Sequence, residues 1–238
     1  RGRKRLDLLV HHNSSLGQLG NTPLPTDFYR SILDLSWSQT ERDYQWKISG
    51  EAQHRAQHWY GLQFRVNEPG FTDSLSVAQH YLTGQLHGEI TLEDAYVKDA
   101  SFTAQTLSDA TNASESRIKA AVNLQFPVLE DFARLGLFTD LVQGRFGHAP
   151  ITSLTDTGSF AYGYLQVGVR PGMLFQTDRV SLDLGARLVY SSDLETQEGS
   201  IYIYPDITAE FTVKEKVISA IAGLKGNLQQ NTFRDFSF

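Results

Sequence analysis

The stretch from Arg179 to Gln230 constrains the fold more than any other part of the chain. It reads RVSLDLGARLVYSS, a polar break, SIYIYPDITAEFTV, a tight KEK, and then KVISAIAGLKGNLQQ. In its first run Val180, Leu182, Leu184, Ala186, Leu188 and Tyr190 share one face, opposite Ser181, Asp183, Gly185, Arg187 and Ser191. Period-two alternation is the signature of a strand whose faces meet different surroundings. Soluble strands run about 5–6 residues, whereas strands crossing an outer membrane obliquely need about 9–11. The next two runs repeat the pattern. Ile201, Ile203, Pro205, Ile207, Ala209 and Phe211 oppose Tyr202, Tyr204, Asp206, Thr208 and Glu210, and Ile218, Ala220, Ala222, Leu224 and Leu228 oppose Ser219, Lys225, Asn227 and Gln229. The expectation is a lipid-facing band around a polar interior.

Composition agrees with strands as the spanning elements. A 40% hydrophobic content and a mean hydropathy of −0.31 do not suit a helical membrane protein. They do suit a barrel, in which only alternate residues meet lipid. The net charge of −6 gives no support to a nucleic-acid partner, and zero cysteines exclude disulfides and thiolate chemistry. The basic start RGRKR is short and isolated in an acidic chain; a periplasmic turn near anionic headgroups explains it better than nucleic acid does. The chain begins at Arg1 without a signal peptide, so a partial chain is expected.

Eleven strand-like runs follow one another, near 4–12, 26–38, 43–54, 78–93, 97–107, 116–128, 133–146, 160–174, 179–191, 201–212 and 217–229. The faces of 97–107, 133–146 and 160–174 resist assignment. Connections alternate between short (39–42, 94–96, 129–132, 175–178, 213–216) and long (13–25, 55–77, 108–115, 147–159, 192–200). Short periplasmic turns and long extracellular loops are the outer-membrane pattern. Trp37, Tyr44, Trp46, Tyr96, Phe126, Phe132, Phe175 and Phe211 flank the short turns, as an interfacial girdle would, although aromatics also favour strand ends in general. The predicted fold class is all-β: an antiparallel transmembrane barrel in one domain over residues 1–238, incomplete at both ends. An odd, open count leaves two unpaired edges, so further strands or a partner are expected to complete it.

Two segments also carry a resemblance. LDLLVHHNSS with DFYRSILDLSWSQTERDYQWKISGEAQHRAQHWYGL (Leu6 to Leu62), and IYPDI with AIAGLKGNLQQNTFRDFS (Ile203 to Ser237), resemble an outer-membrane β-barrel family of the Bacteroidota. Its members are often described as TonB-dependent-receptor-like. The resemblance implies a Gram-negative outer-membrane location, more strands after NLQQNTFRDFS, and a turn at Arg1–Arg5. A TonB-dependent transporter also carries a plug domain and a TonB box, and neither is found in these residues.

Chemical motifs are weak. His54 and His58 have i, i+4 spacing but sit at a strand end and loop, with no third ligand or HExxH glutamate, so a solvated loop beside Trp59 and Tyr60 outweighs a metal site. His11 and His12 alternate faces. His80 and His87 join no triad and no GxSxG occurs, so no enzyme, catalytic residue, cofactor or metal is predicted. The sequon at 112–114 means little in bacterial export. Asp73–Leu75 resembles an O-glycosylation signal of exported Bacteroidota proteins, with Ser74 as acceptor. The informative set is the inward charges Asp34, Lys47, Glu51, Glu89, Arg117, Lys119, Asp183, Arg187, Glu210 and Lys225. Mixed signs can line an aqueous channel or pair into a network that fills a closed lumen. Two functions follow as expectations. One is an accessory or scaffold barrel in an export or barrel-insertion assembly, with lipid and other subunits as partners. The other is a porin-like or TonB-dependent-type passage for small solutes.

Overall fold

The computed structural model describes residues 2–17, 25–58, 78–147, 159–214 and 218–237. Eleven strands form one antiparallel sheet in sequence order. They are β1 (Arg3–Ser15), β2 (Phe28–Thr40), β3 (Tyr44–His58), β4 (Ala78–Leu92), β5 (Val97–Asp109), β6 (Ser114–Val128), β7 (Asp131–Phe146), β8 (Phe160–Gln176), β9 (Val180–Asp193), β10 (Gly199–Lys214) and β11 (Ile218–Lys225). A five-residue helix, α1 (Phe233–Ser237), follows. All eleven expected runs are strands, and β1 to β10 run 13 to 17 residues each. The sheet is not closed: β1 pairs only with β2 and β11 only with β10 among the described residues.

Register keeps the two faces distinct across the whole sheet. Leu8, Leu35 and Gly50 align on one face, and on the other Asp34, Glu51, Gln85 and Gln105 align from β2 to β5. Because side chains alternate, a slip of one residue in any strand would exchange the faces. The apolar face is open: Leu8 is 67% exposed and Ile201 72%. Among the described residues the buried hydrophobic side chains are Ala56, Leu107, Ala113, Val142 and Val189. Among the described residues the sheet therefore has almost no internal apolar core. Close fit on the faces comes from rings laid over glycines of the neighbouring strand. A Cβ at Gly88 would lie 2.3 Å from Phe102, and one at Gly168 would lie 2.2 Å from Phe138, each ring belonging to the residue directly opposite.

Two expectations need correction. The connections at 108–115 and 192–200 are not long loops, because β5, β6, β9 and β10 extend into them and leave only 110–113 and 194–198. Both are tight turns built by aspartate. The Asp109 carboxylate accepts the N–H of Thr111 and of Ala113, and Asp193 accepts those of Glu195 and Thr196. Asn112 and Gln197 take up the left-handed conformation at φ 62° and 60°. The run at 217–229 is the second correction: its strand ends at Lys225. Gly226 still donates its N–H to Pro205 O at 3.0 Å. In an antiparallel pair the bond is normally returned, but Pro205 has no N–H to return it. The ladder stops there, and the Tyr204 ring lies where a side chain at 226 would continue the strand. Asn227, Leu228 and Gln229 are consequently outside the sheet. The expected connection at 55–77, including Ser74, largely lies outside the described residues, as do 148–158 and 215–217.

Candidate functional site

Released from β11, residues 226–237 return across the polar face. Arg187 on β9 donates through Nη1 to Asn227 Oδ1 at 2.6 Å. Gln166 on β8 donates to Gln230 Oε1 at 3.1 Å, and Arg117 on β6 to Gln230 O at 3.3 Å. Phe233 meets Phe146 of β7 edge-on, ring centroids 5.0 Å apart. Arg234 and Asp235 share a cavity of about 320 Å³ with Arg30, Gln53 and Thr83 of β2, β3 and β4. Adjacent strands lie about 4.8 Å apart, so β2 and β6 of a flat sheet would be separated by roughly 19 Å. Arg234 lines that cavity while its N–H is held by Glu115 of β6, so the two strands are closer than in a flat sheet. The sheet must curl, with its polar face concave.

Glu115 is the anchor of this return segment. It is 4% exposed and accepts three hydrogen bonds: from Tyr162 Oη at 2.7 Å, from the Phe233 N–H at 2.6 Å and from the Arg234 N–H at 3.2 Å. A buried carboxylate is tolerable when its lone pairs are met in this way. The two backbone donors open α1, whose first N–H groups have no partner within the helix. Thr232 and Asp235 close the same end. Asp235 Oδ2 accepts the Thr232 N–H at 3.0 Å, and Thr232 Oγ1 accepts the Asp235 N–H at 3.2 Å, an Asp variant of the capping box. This T-F-R-D spacing is a helix-start signal present in the sequence itself.

Arg117 links the segment to the wall. It grips Asp140 with two bonds, Nε at 2.8 Å and Nη2 at 2.6 Å, and its Nη1 lies 3.9 Å from Asp235. Towards the short-turn end, Arg134 pairs with Asp183 and Arg170 with Asp206, while Arg170 also lies 3.9 Å from Asp183. Asp183 and Arg117 are thus paired inward charges. Asp206, on the polar face by its alternation, joins them, as do Glu115, Asp140, Arg134, Arg170 and Tyr162, which no sequence pattern singles out. Among the other inward charges, Asp34 stands opposite Glu51, Lys47 opposite Glu89, Lys119 opposite Asp140, Glu210 opposite Ile221 and Lys225 opposite Asp206. They share the polar face but do not converge on one point.

The apolar face carries rings near both of its ends. At the short-turn end Trp37 and Trp46 meet edge-on at 4.9 Å, Tyr96 stacks on Phe126 at 5.5 Å, and Tyr44 accepts a bond from Gln39 at 3.0 Å. Phe175 and Phe211 lie on β8 and β10 near the same rim. At the opposite end Tyr29 packs between His12 and His54, and His54 lies 5.9 Å from His80. This second group corrects the placement of His54 and His58 at a strand end and loop, since both belong to β3. His58 bonds the Asp27 carbonyl at 2.9 Å. His80 and His87 fall on opposite faces, and His87 faces Thr103 at 2.9 Å. Among the described residues no group of three or more His, Asp or Glu side chains is placed to hold a metal ion.

No family model, curated protein or solved structure matches this chain.

Proposed function

We propose that the chain is a non-enzymatic part of an outer-membrane β-barrel, its lumen filled by its own return segment, and that it serves as an accessory or scaffold subunit of a larger assembly. The observation that carries the scaffold reading is the return segment held by Glu115 and Arg117, which occupies space an open pore would leave to water. The membrane reading rests on the apolar face. Large continuous apolar surface marks a membrane or a partner, and here it covers strands long enough to cross. Tyr29 and Trp37 are eight positions apart on β2, about 27 Å along the strand at roughly 3.4 Å per residue. With a tilt near 40° that corresponds to about 20 Å in height, close to the ~25 Å apolar band of such barrels. In this frame the short turns are periplasmic, and the family resembled is the Bacteroidota barrel family.

The open sheet supports an assembly role. In an antiparallel meander of eleven strands β1 and β11 run in the same sense, so joining them directly would make a parallel pair. Closure by antiparallel pairs takes an odd number of further strands, from the rest of the polypeptide or from another subunit. Hydrocarbon penalises any edge left unpaired. Gentle detergent extraction from native membranes tests the role. Stable co-purifying subunits are expected; a lone, monodisperse barrel would contradict it.

A further inference from the structure

We propose that the polar face holds a binding site for a small oxyanion, in the cavity between β5–β9 and residues Asn227 and Leu228. The cavity has a volume of about 400 Å³, within the range of small-molecule sites. Lys119, Asp140, Arg170 and Arg187 bring charge to it. The pairing around it decides its sign. Both Asp140 oxygens are engaged by Arg117, and Arg170 is engaged by Asp206. Lys119 stands opposite Asp140 in register but makes no hydrogen bond or ion pair among the described residues. Arg187 spends Nη1 on Asn227 and lies 5.4 Å from the Phe138 ring centroid, while its Nε is buried without a hydrogen-bond partner. Two cations that line this cavity, Lys119 and Arg187, therefore keep donors unused in a chain whose net charge is −6.

A buried, unmatched guanidinium N–H is costly, and an oxyanion is the chemistry that satisfies it together with an ammonium group. Lys119 supplies a mobile point charge and Arg187 a fixed planar donor set, oriented by Asn227 and Phe138. The wall and the return segment each contribute, so the site exists only while the segment is docked. The inference stands on this side-chain cluster and does not depend on what surrounds the apolar face.

Calorimetric titration of the whole protein in detergent, with inorganic phosphate and separately with succinate at fixed ionic strength, tests it. One saturable site for at least one of the two anions is expected. Lys119→Gln, an exposed side chain whose loss leaves the fold intact, should weaken binding at least fivefold, and Lys119→Gln with Arg187→Gln should abolish it. Arg187→Lys should retain more than Arg187→Gln. Lys47→Gln removes a charge elsewhere on the same face and should change nothing. Saturable binding of neither anion would overturn the proposal, as would an equal loss in Lys47→Gln, which would reduce the effect to general charge.

Discussion

The Glu115 carboxylate accepts the backbone N–H of Phe233 at 2.6 Å across 118 positions of chain. One oxygen of that group also receives the Tyr162 hydroxyl, so a side chain of β6 joins β8 and the return segment at a single point. Charged hydrogen bonds of this kind contribute about 1.5–3 kcal/mol each. Glu115→Ala should free the segment while leaving the strands paired. Amide exchange at Phe233 and Arg234 should accelerate by roughly 10–100-fold, with little change in the strand amides. Unchanged exchange at those two positions would show that Glu115 does not hold the segment.

Arg117 and Asp140 form a largely buried pair, with side chains 10% and 15% exposed. Removing one partner strands a charge, which costs about 3–5 kcal/mol, whereas apolar replacement of both costs far less. Arg117→Met alone should lower stability strongly, and Arg117→Met with Asp140→Leu should recover most of the loss. Chemical denaturation of the two variants checks this, and additive losses would contradict it.

Pro205 ends the β10–β11 ladder because it cannot return the bond that Gly226 gives it. Pro205→Val restores an N–H and a β-branched side chain suited to a strand. A new, protected amide at position 205 and a β11 extended through 226 are expected, with the Arg187–Asn227 bond lost as the chain is drawn into the sheet. A ladder that still ends at Lys225 would assign the break to the Tyr204 ring instead.

Trp37 and Trp46 touch edge-on at the short-turn end of the apolar face. In reconstituted bilayers with Trp59→Phe, so that only these two indoles report, bromines placed near the headgroups should quench them more than bromines at the acyl-chain ends. Equal quenching at all depths, or none, would remove the interfacial assignment.

The strands are legible where the two faces differ in polarity, as in β9, where Leu182, Leu184 and Leu188 alternate with Asp183, Gly185 and Arg187. Alternation was unreadable where the inner face is itself apolar. Val142 on β7 and Leu107 on β5 are buried on the polar face beside Arg117 and Glu115, which hold the return segment. They are inner residues that read as outer ones. The same docking concealed Asp140 and Arg170, whose partners come from other strands and whose faces depend on register. Residues after Lys225 kept strand-like alternation in sequence. What stopped the strand was a missing N–H on the neighbour, Pro205, which no pattern within 217–229 records.

The most direct test of the filled lumen is single-channel conductance of the protein extracted with its partners and placed in planar bilayers. The account predicts silence from the native protein and steady openings once Glu115→Ala and Arg117→Ala release residues 226–237. Steady conductance from the native protein would contradict it and make the polar face the lining of a pore.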